Sequence, residues 1–344
     1  MQSAREQYGD LEFLDFSANI NPLGPPQGVF QAIRDNLAQI VHYPEPEGRG
    51  LKELLGRRLG IGTENLILGN GAVELIYLLA QALKPAKALI PAPTFSEYGA
   101  ALECQGAQIR ISYLQQDFRL DPDALELAGC DLLVLCNPNN PTGYFLPEAD
   151  FRAILDRARQ ERAFVVVDES FMDFLPPSRQ WRAFRYLAEY DRLFVLYSLT
   201  KFFAIPGLRL GCGIGSTGLV RELVSRKDPW NVNSLALAAG EAALREPEYE
   251  ERSRRLIDEE REFLSRELGR LPGLKPYPAA ANFLLVQNSG AIRGRDLVHR
   301  LGVKGILVRD CGNFPGLGER YFRVAVKDRK SNTRLLQALA QVLK

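Results

Sequence analysis

Residues that can do covalent and acid–base chemistry follow four short apolar runs of the sequence, in the segments LILGNGA, VLCNPNNPTG, FVVVDES and YSLTKFFAIPGLRLG. Lys201 in the last segment supplies a primary amine. Its mostly uncharged neighbours and the nearby Arg209 are expected to lower the pKa of that amine toward the range of a reactive nucleophile. A lysine taken alone is more often a solvated surface residue, so its role depends on the groups around it.

The other segments offer groups that could bind a phosphate and a cationic ring. Gly69 and Gly71 let the backbone approach an anion at the start of a helix. Prolines beside Asn140 fix a rigid loop that can aim its amide. Asp168 ends an apolar strand, where a carboxylate needs a cationic partner such as a protonated pyridine nitrogen. Arg209 can grip a phosphate through its planar fork. Each feature also occurs as an ordinary turn or helix cap, so none identifies a site alone.

Six apolar runs between about residues 50 and 215 predict the sheet that positions these groups. The runs are too apolar to alternate and are separated by amphipathic segments, which is typical of strands buried on both faces of a mainly parallel sheet flanked by helices. They are NLILG, KALIPA, QIRISYL, DLLVLCNP, AFVVVDES and RLFVLYS. Ligands bind beyond the carboxyl ends of the strands in such an α/β sheet, so we expect the four segments to converge there.

The sequence after Pro247 predicts a long charged helix, EYEERSRRLIDEEREFLSRELGRL, and then a smaller α+β domain. Its strands are NFLLVQ, GILVRD and YFRVAV, and its helices are GRDLVHRLGV and NTRLLQALAQVLK. We therefore predict three parts. Residues 1–30 form an N-terminal segment that joins the small domain, residues 31–246 form a large domain that carries the four segments, and residues 247–344 form the linking helix and the small domain.

Composition argues against several other classes of function. The 344 residues include 43 basic and 42 acidic side chains, so no bulk charge attracts nucleic acid. The apolar stretches are too short to cross a bilayer, and the start lacks the apolar region of a secretory signal, so we expect a cytoplasmic protein with no membrane partner. With two histidines and five scattered cysteines, no metal site, Ser-His-Asp triad or disulfide framework is expected.

Together, the NPTG loop, the strand-end aspartate and the SLTK segment followed by an arginine resemble the aspartate-aminotransferase superfamily, fold type I of the enzymes that use pyridoxal 5'-phosphate (PLP). The resemblance covers nearly the whole chain and implies PLP as the cofactor. It implies that Lys201 forms the Schiff base and moves protons, while Asp168 keeps the pyridine nitrogen protonated. Asn140 would bond the ring oxygen, and Phe95 would stack on the ring. The residues expected to hold the cofactor phosphate are Gly71, Ala72, Ser198 and Arg209.

Within the superfamily the chain is similar to two groups that act on phosphorylated substrates, the L-threonine-O-3-phosphate decarboxylases of cobalamin biosynthesis and the histidinol-phosphate aminotransferases. The segments DFSANINPLGPP and RDCGNFPGL resemble the decarboxylases more. The resemblance therefore implies a PLP-dependent carbon–carbon lyase that converts L-threonine O-3-phosphate to (R)-1-amino-2-propanol O-2-phosphate. The aminotransferase is the alternative, and a catalytically inactive PLP-fold binding or regulatory protein is an alternative of another class.

The resemblance also implies the substrate contacts. Arg323 in YFRVAV matches the arginine that takes the substrate carboxylate, with Asn19, Asn21 and Asn140 beside it. Arg309 in RDCGNFPGL is the candidate for the substrate phosphate, and an exposed surface arginine would fit the sequence nearly as well.

Two further positions bear on the assembly and on the ring. Tyr43 in HYPEP matches a tyrosine that relatives extend across a dimer interface toward the partner's cofactor phosphate, so a homodimer with shared active sites is expected; a packed turn tyrosine would also fit. Relatives often carry a tyrosine three residues after the strand-end aspartate, where its hydroxyl contacts the ring oxygen. This chain has Phe171 there, so that contact is absent unless another residue supplies it.

Overall fold

A seven-stranded sheet forms the centre of the larger part of the molecule in the computed structural model, which describes residues 2–343 except the side chain of Ser3. Met1 and Lys344, which the predicted domains and last helix include, lie outside the described residues. The strands are β2 (Leu66–Gly69), β3 (Lys87–Ala92), β4 (Gln108–Tyr113), β5 (Leu132–Cys136), β6 (Phe164–Asp168), β7 (Leu193–Ser198) and β8 (Gly211–Gly215). Their spatial order is β2-β8-β7-β6-β5-β3-β4.

The pairing of the strands confirms the predicted mainly parallel α/β sheet. Strands β3 to β7 pair in parallel, and β8 runs antiparallel to both β7 and β2. All six predicted strands are present. The prediction that QIRISYL is buried on both faces is wrong, because β4 is an edge strand whose residues are partly or fully exposed. The seventh strand, β8, was not predicted.

Helices cover both faces of this sheet and bury it. Along β6, Val165 and Val167 belong to one hydrophobic core, whereas Val166 belongs to a second core on the opposite face. This alternation explains why the run FVVVD has no polar position before its last residue. The helices are α2 (Gln27–Asn36), α3 (Arg49–Leu59), α4 (Ala72–Leu83), α5 (Glu97–Glu103), α6 (Glu148–Glu161), α7 (Leu199–Phe202), α8 (Thr217–Arg226) and α9 (Ser234–Ala243).

A four-stranded antiparallel sheet organises the C-terminal part. Its strands, in spatial order, are β12 (Arg309–Asp310), β13 (Tyr321–Ala325), β10 (Phe283–Asn288) and β9 (Leu274–Pro276). Near the N-terminus, β1 (Leu14–Asp15) pairs in parallel with β11 (Ile306–Leu307), so this segment lies against the C-terminal part. The domain limits near residues 30 and 246 stay predictions.

The remaining helices belong to the two ends of the chain. They are α1 (Gln2–Tyr8), α10 (Pro247–Gly269), α11 (Gly294–Val303) and α12 (Arg329–Val342). The long charged helix predicted after Pro247 and both predicted C-terminal helices are confirmed. Over residues 2–343, no helix combines the length and apolarity that crossing a bilayer demands.

Candidate active site

A cavity of about 270 Å³ lies beyond the carboxyl ends of β5, β6 and β7 and is closed on one side by the C-terminal part. The register explains the convergence, since Asp168 pairs with Cys136 on β5 and with Leu196 on β7, so the three strands end at one level. Ten of the predicted site residues line the cavity: Asn19, Ala72, Phe95, Asn140, Asp168, Ser198, Lys201, Arg209, Arg309 and Arg323.

One end of the cavity forms a cradle for an anion. Helix α4 begins at Ala72, and Gly71 before it has φ of +80°. A Cβ on Gly71 would lie 2.4 Å from Nη2 of Arg209, so glycine is what lets the guanidinium approach the helix start. The hydroxyls of Ser198 and Thr200 lie 2.7 Å apart, and both residues line the same cavity. Free first-turn amides, an arginine fork and hydroxyls suit a phosphate, as the cofactor implied by the sequence requires.

Asp168 presents a buried carboxylate to the cavity and is 6% exposed. One of its oxygens accepts a hydrogen bond from the backbone N–H of Ser170 at 2.8 Å, and the other from the hydroxyl of Tyr98 at 2.5 Å. Burial, and then the charge of Asp168, raises the pKa of Tyr98 well above its usual value, so the hydroxyl stays a donor. Both donors are neutral. The site therefore fits a protonated pyridine nitrogen as the cationic partner of this carboxylate.

The neighbouring carboxylate, Glu169, turns away from the cavity. It accepts hydrogen bonds from the backbone N–H of Ala183 at 2.7 Å and from the guanidinium of Arg182 at 3.2 Å. The two acids at the end of β6 thus separate, and Glu169 joins an ionic cluster beneath the site.

Lys201 lies on the short helix α7 and lines the cavity. Burial lowers the pKa of its amine, and the charges of Arg323 and Arg209 lower it further, against a smaller opposing effect of Asp168. A larger neutral fraction makes the amine a better nucleophile toward an aldehyde. The expected direction of the pKa shift is confirmed, and Arg323 acts beside the Arg209 named from the sequence.

Arg323 on β13 is a buried cation with hydrogen-bonding capacity to spare. It is 7% exposed, and burial is the main reason that its pKa is lowered to about 10. Nη1 donates to Oδ1 of Asn140, Nη2 donates to the carbonyl of Ser17 at 2.7 Å, and Nε has no partner. Oδ1 of Asn19, another residue of the cavity wall, is also buried without a partner.

Arg309 lies directly across the sheet from Arg323. The two residues are register partners on β12 and β13, so their side chains leave the sheet on the same face. Arg309 donates to Oδ1 of Asn313 at 2.9 Å, and its guanidinium lies 5.2 Å from the centre of the Phe314 ring. Like charges placed opposite each other repel, so this pair is suited to an anionic ligand.

Three predicted site residues do not line the cavity. Gly71 acts through its contact with Arg209. The prediction that Asn21 binds the substrate is corrected. Its side-chain amide donates to the carbonyl of Phe202 and to the hydroxyl of Ser253, both at 2.8 Å, and is not free for a substrate. Tyr43 is 78% exposed and stacks on Trp230 with ring centres 4.5 Å apart, so its predicted reach into a partner's site stays a prediction.

Sequence reasoning missed Tyr98, which bonds Asp168 and also packs edge-on against Phe95, with ring centres 5.5 Å apart. Tyr98 follows Phe95 by three residues, but Phe95 precedes α5, which begins at Glu97, so helical periodicity gave no signal for their contact. It also missed the carbonyl of Ser17, for which the residue type carries no signal.

Comparison with known proteins gives the family. The profile of the family described as aminotransferase class I and II matches residues 12–339. The threonine-phosphate decarboxylase of Salmonella typhimurium is 41% identical over 338 residues, covering 96% of this chain and 92% of that one. The histidinol-phosphate aminotransferase of Symbiobacterium thermophilum is 34% identical over 348 residues, covering 100% and 94%. The crystal structure of the L-threonine-O-3-phosphate decarboxylase of Porphyromonas gingivalis superposes with a TM-score of 0.87 at 26% identity, covering 96% of this chain and 99% of that one.

Proposed function

Because the chain belongs to the aminotransferase class I and II family, we propose that it decarboxylates L-threonine O-3-phosphate to (R)-1-amino-2-propanol O-2-phosphate, as a lyase of cobalamin biosynthesis. The cofactor is pyridoxal 5'-phosphate. When bound, it supplies an electron sink that takes up the electrons of a bond broken at the substrate's α-carbon.

The observation that carries the proposal is the pair Arg309 and Arg323. They face each other across β12 and β13, line one cavity, and Arg323 keeps an unpartnered Nε. L-Threonine O-3-phosphate carries a carboxylate and a phosphate on adjacent carbons. One such molecule would supply an anion to each arginine, with Arg323 taking the carboxylate and Arg309 the phosphate.

The remaining residues would position and protonate. Gly71 and Arg209 would hold the cofactor phosphate at the start of α4, and Asp168 would hold a proton on the ring nitrogen. The side-chain oxygen of Asn140 accepts a hydrogen bond from Arg323, so the side-chain NH2 of Asn140 would remain to donate to the ring oxygen. Lys201, whose pKa is lowered by burial and by Arg323, would deliver the proton that replaces the carboxylate.

Which bond breaks depends on how the carboxylate is held. The bond perpendicular to the conjugated ring is the one whose electrons enter it, so orientation selects decarboxylation. Arg323 and the backbone near Asn19 would fix the direction of the carboxylate at the α-carbon, while Arg309 would anchor the phosphate. Two anchors fix the rotation about the amino nitrogen–carbon bond, whereas one would leave it free.

A second candidate, histidinol-phosphate aminotransferase, is supported by the 34% identical relative of that name. Its phosphorylated substrate carries an imidazole and no carboxylate, so one molecule would not occupy both arginines. Glutamate, the amino donor of such an aminotransferase, does carry two carboxylates, so the two arginines fit both candidates. The higher identity to the decarboxylase relative, 41% against 34%, is what favours the first.

The test is incubation of the purified holoenzyme with L-threonine O-3-phosphate, following carbon dioxide and the amino phosphate product. Arg309→Gln should lower kcat/KM for this substrate by about 10- to 100-fold, the loss of one charge-assisted contact. Any turnover of L-threonine, which lacks the phosphate, should not change in this variant. The matched control is Arg300→Gln, whose exposed side chain pairs with Asp296. Glutamate-dependent transamination of histidinol phosphate without carbon dioxide release would establish the second candidate. The absence of both activities would support the third alternative, a non-catalytic protein.

We extend the proposal to a homodimer. Apolar side chains at the end of α2 and beyond it are exposed, and they include Ile40, Val41 and Tyr43 beside Trp230. A contiguous exposed patch of this kind suits a subunit interface. Sedimentation should give a dimer for the wild type and a monomer for Val41→Glu, and a monomeric wild type would refute the dimer.

A further inference from the structure

The segment Ser17–Asn21 runs along the cavity wall and bonds the side chain of Arg323 at one end and the main chain of Lys201 at the other. At one end, the carbonyl of Ser17 accepts a hydrogen bond from Arg323 at 2.7 Å. At the other, the backbone N–H of Asn21 donates to the carbonyl of Lys201 at 3.1 Å. Asn19 lines the cavity between them. Five residues thus join the arginine proposed for the substrate carboxylate to the lysine proposed for the cofactor.

The side chain of Asn21 is committed to the turn that carries Lys201. It is 2% exposed, and its Nδ2 donates to the carbonyl of Phe202 and to Oγ of Ser253, both at 2.8 Å. Its Oδ1 accepts from the backbone N–H of Leu23 at 3.2 Å. With the main-chain bond to Lys201, Asn21 therefore contacts the carbonyls of two consecutive residues.

Helix α7 needs such partners because it has only four residues, Leu199–Phe202, and the last carbonyls of a helix have no partner within it. The hydroxyl of Tyr249 lies 3.0 Å from the carbonyl of Phe202 and 2.8 Å from the carbonyl of Gly24, so its single proton is shared between these two acceptors. Tyr249 and Ser253 both belong to α10. The end of α7 is thus fixed from the N-terminal segment and from the long helix.

From these contacts we infer that Asn21 is a positioning residue for Lys201. The inference rests on the proposed role of Lys201 with the cofactor and not on which phosphorylated substrate is used.

The test uses the holoenzyme without substrate and follows the visible absorbance of the lysine-bound cofactor against pH. In Asn21→Ala we expect the midpoint of this titration to move by about half a pH unit or more, since the amine loses its fixed position among the surrounding charges. We also expect kcat to fall about tenfold with KM changed by less than about threefold, because the substrate anchors are untouched.

Two further variants make the test decisive. Asn65→Ala is the matched control, because the amide of Asn65 also donates to a distant backbone carbonyl, that of Gly215 at 2.8 Å, away from the cavity wall; it should behave as wild type. Tyr249→Phe removes the second donor to the carbonyl of Phe202 and keeps the ring, so it should move the midpoint even if Asn21→Ala does not fold. An unchanged midpoint in Asn21→Ala, or in Tyr249→Phe where the first variant does not fold, overturns the inference. A wild type without cofactor absorbance would instead refute the cofactor role of Lys201, so the two failures are distinguishable.

Discussion

Replacing Arg182 with methionine would remove one of three arginines from a buried ionic cluster directly beneath the candidate site. Arg182 donates to Glu169 at 3.2 Å and also bonds Asp173, and the side chains of these two acids are 0% and 4% exposed. The whole cluster balances its charge, because Arg58 and Arg254 bind Glu250 and so bring the count to three arginines and three acids; Arg58 also lies 3.7 Å from Asp173. The change would therefore leave two buried carboxylates short of their main cationic partner.

Removing one partner of a buried ion pair costs about 3–5 kcal/mol, because the remaining charge is neither hydrated nor compensated. We expect Arg182→Met to lower the free energy of unfolding by that amount at pH 8. Methionine fills a similar volume, so cavity formation adds little. The matched control is Arg226→Met, whose ion pair with Glu222 has side chains 40% and 44% exposed and should cost less than about 0.5 kcal/mol.

The sign of the pH dependence follows from the two acids. Burial raises the pKa of Glu169, and Arg182 opposes that rise only in part. Burial also raises the pKa of Asp173, but Arg182, Arg58 and the hydroxyl of Tyr197 more than offset it, so this pKa is lowered. In the wild type, the contribution of Asp173 is present above its unfolded pKa and is lost as pH falls through the folded one.

Without Arg182 both folded pKa values rise, so the variant takes up protons as the pH falls. Its deficit relative to wild type should therefore be largest at pH 8 and shrink toward pH 5. Urea unfolding followed by circular dichroism at both pH values measures this. A deficit below about 1 kcal/mol at pH 8, or one that is equal at the two pH values, would refute the role given to the cluster.

Two predictions concern the cavity itself. Gly71→Ala should weaken PLP binding by about tenfold or more, because its Cβ would meet Arg209 at 2.4 Å. The control is Gly60→Ala, where φ is +69° and the surrounding space is open, so this variant carries the backbone strain alone and should bind PLP normally. Equal Kd values for the two variants in a fluorescence titration would contradict this prediction. Arg323→Gln should shift the pH dependence of PLP binding to the apoprotein to higher pH, because the charge of Arg323 is, after burial, the main influence that lowers the pKa of Lys201. Stopped-flow absorbance measures this dependence, and an unchanged midpoint would count against the influence of Arg323 on Lys201.

The convergence of the four polar segments could be predicted from sequence because it depends on a general property of parallel sheets. Once β5, β6 and β7 are taken as parallel neighbours, their carboxyl ends must meet at one edge, so Asn140, Asp168 and Lys201 come together whatever the details of packing. The residue types then specify the chemistry.

Strand β8 could not be predicted in this way. Its sequence, GCGIG, has three glycines, which disfavour a strand when read locally. The structure gives the reason for two of them. A Cβ on Gly213 would lie 2.2 Å from the ring of Phe194, and one on Gly211 would lie 2.4 Å from the backbone nitrogen of Ala72. These close contacts come from other strands and helices, so the local pattern contains no trace of them.

The role of Asn21 was missed for the same physical reason. The segment DFSANINPLGPP signals a functional region through its asparagines, but it does not reveal which of them face the ligand. Asn19 lines the cavity, whereas Asn21, two residues later, bonds Phe202 and Ser253, which are distant in the sequence. An irregular segment has no period from which to assign its faces, unlike a strand or helix.

Phe171, the departure from the family pattern, has a structural consequence for the substrate arginine. Its ring packs edge-on against Phe283 with centres 5.0 Å apart, and the guanidinium of Arg323 lies 5.3 Å from the centre of that same Phe283 ring. Without a hydroxyl at this position, Asn140 is the residue that we propose to contact the ring oxygen of the cofactor, and the surface below Arg323 is apolar. Low local polarity strengthens the attraction between a guanidinium and an incoming carboxylate. Under the proposed function, Phe171 would give up one hydrogen bond to the cofactor ring and, through Phe283, would favour oriented binding of the substrate carboxylate.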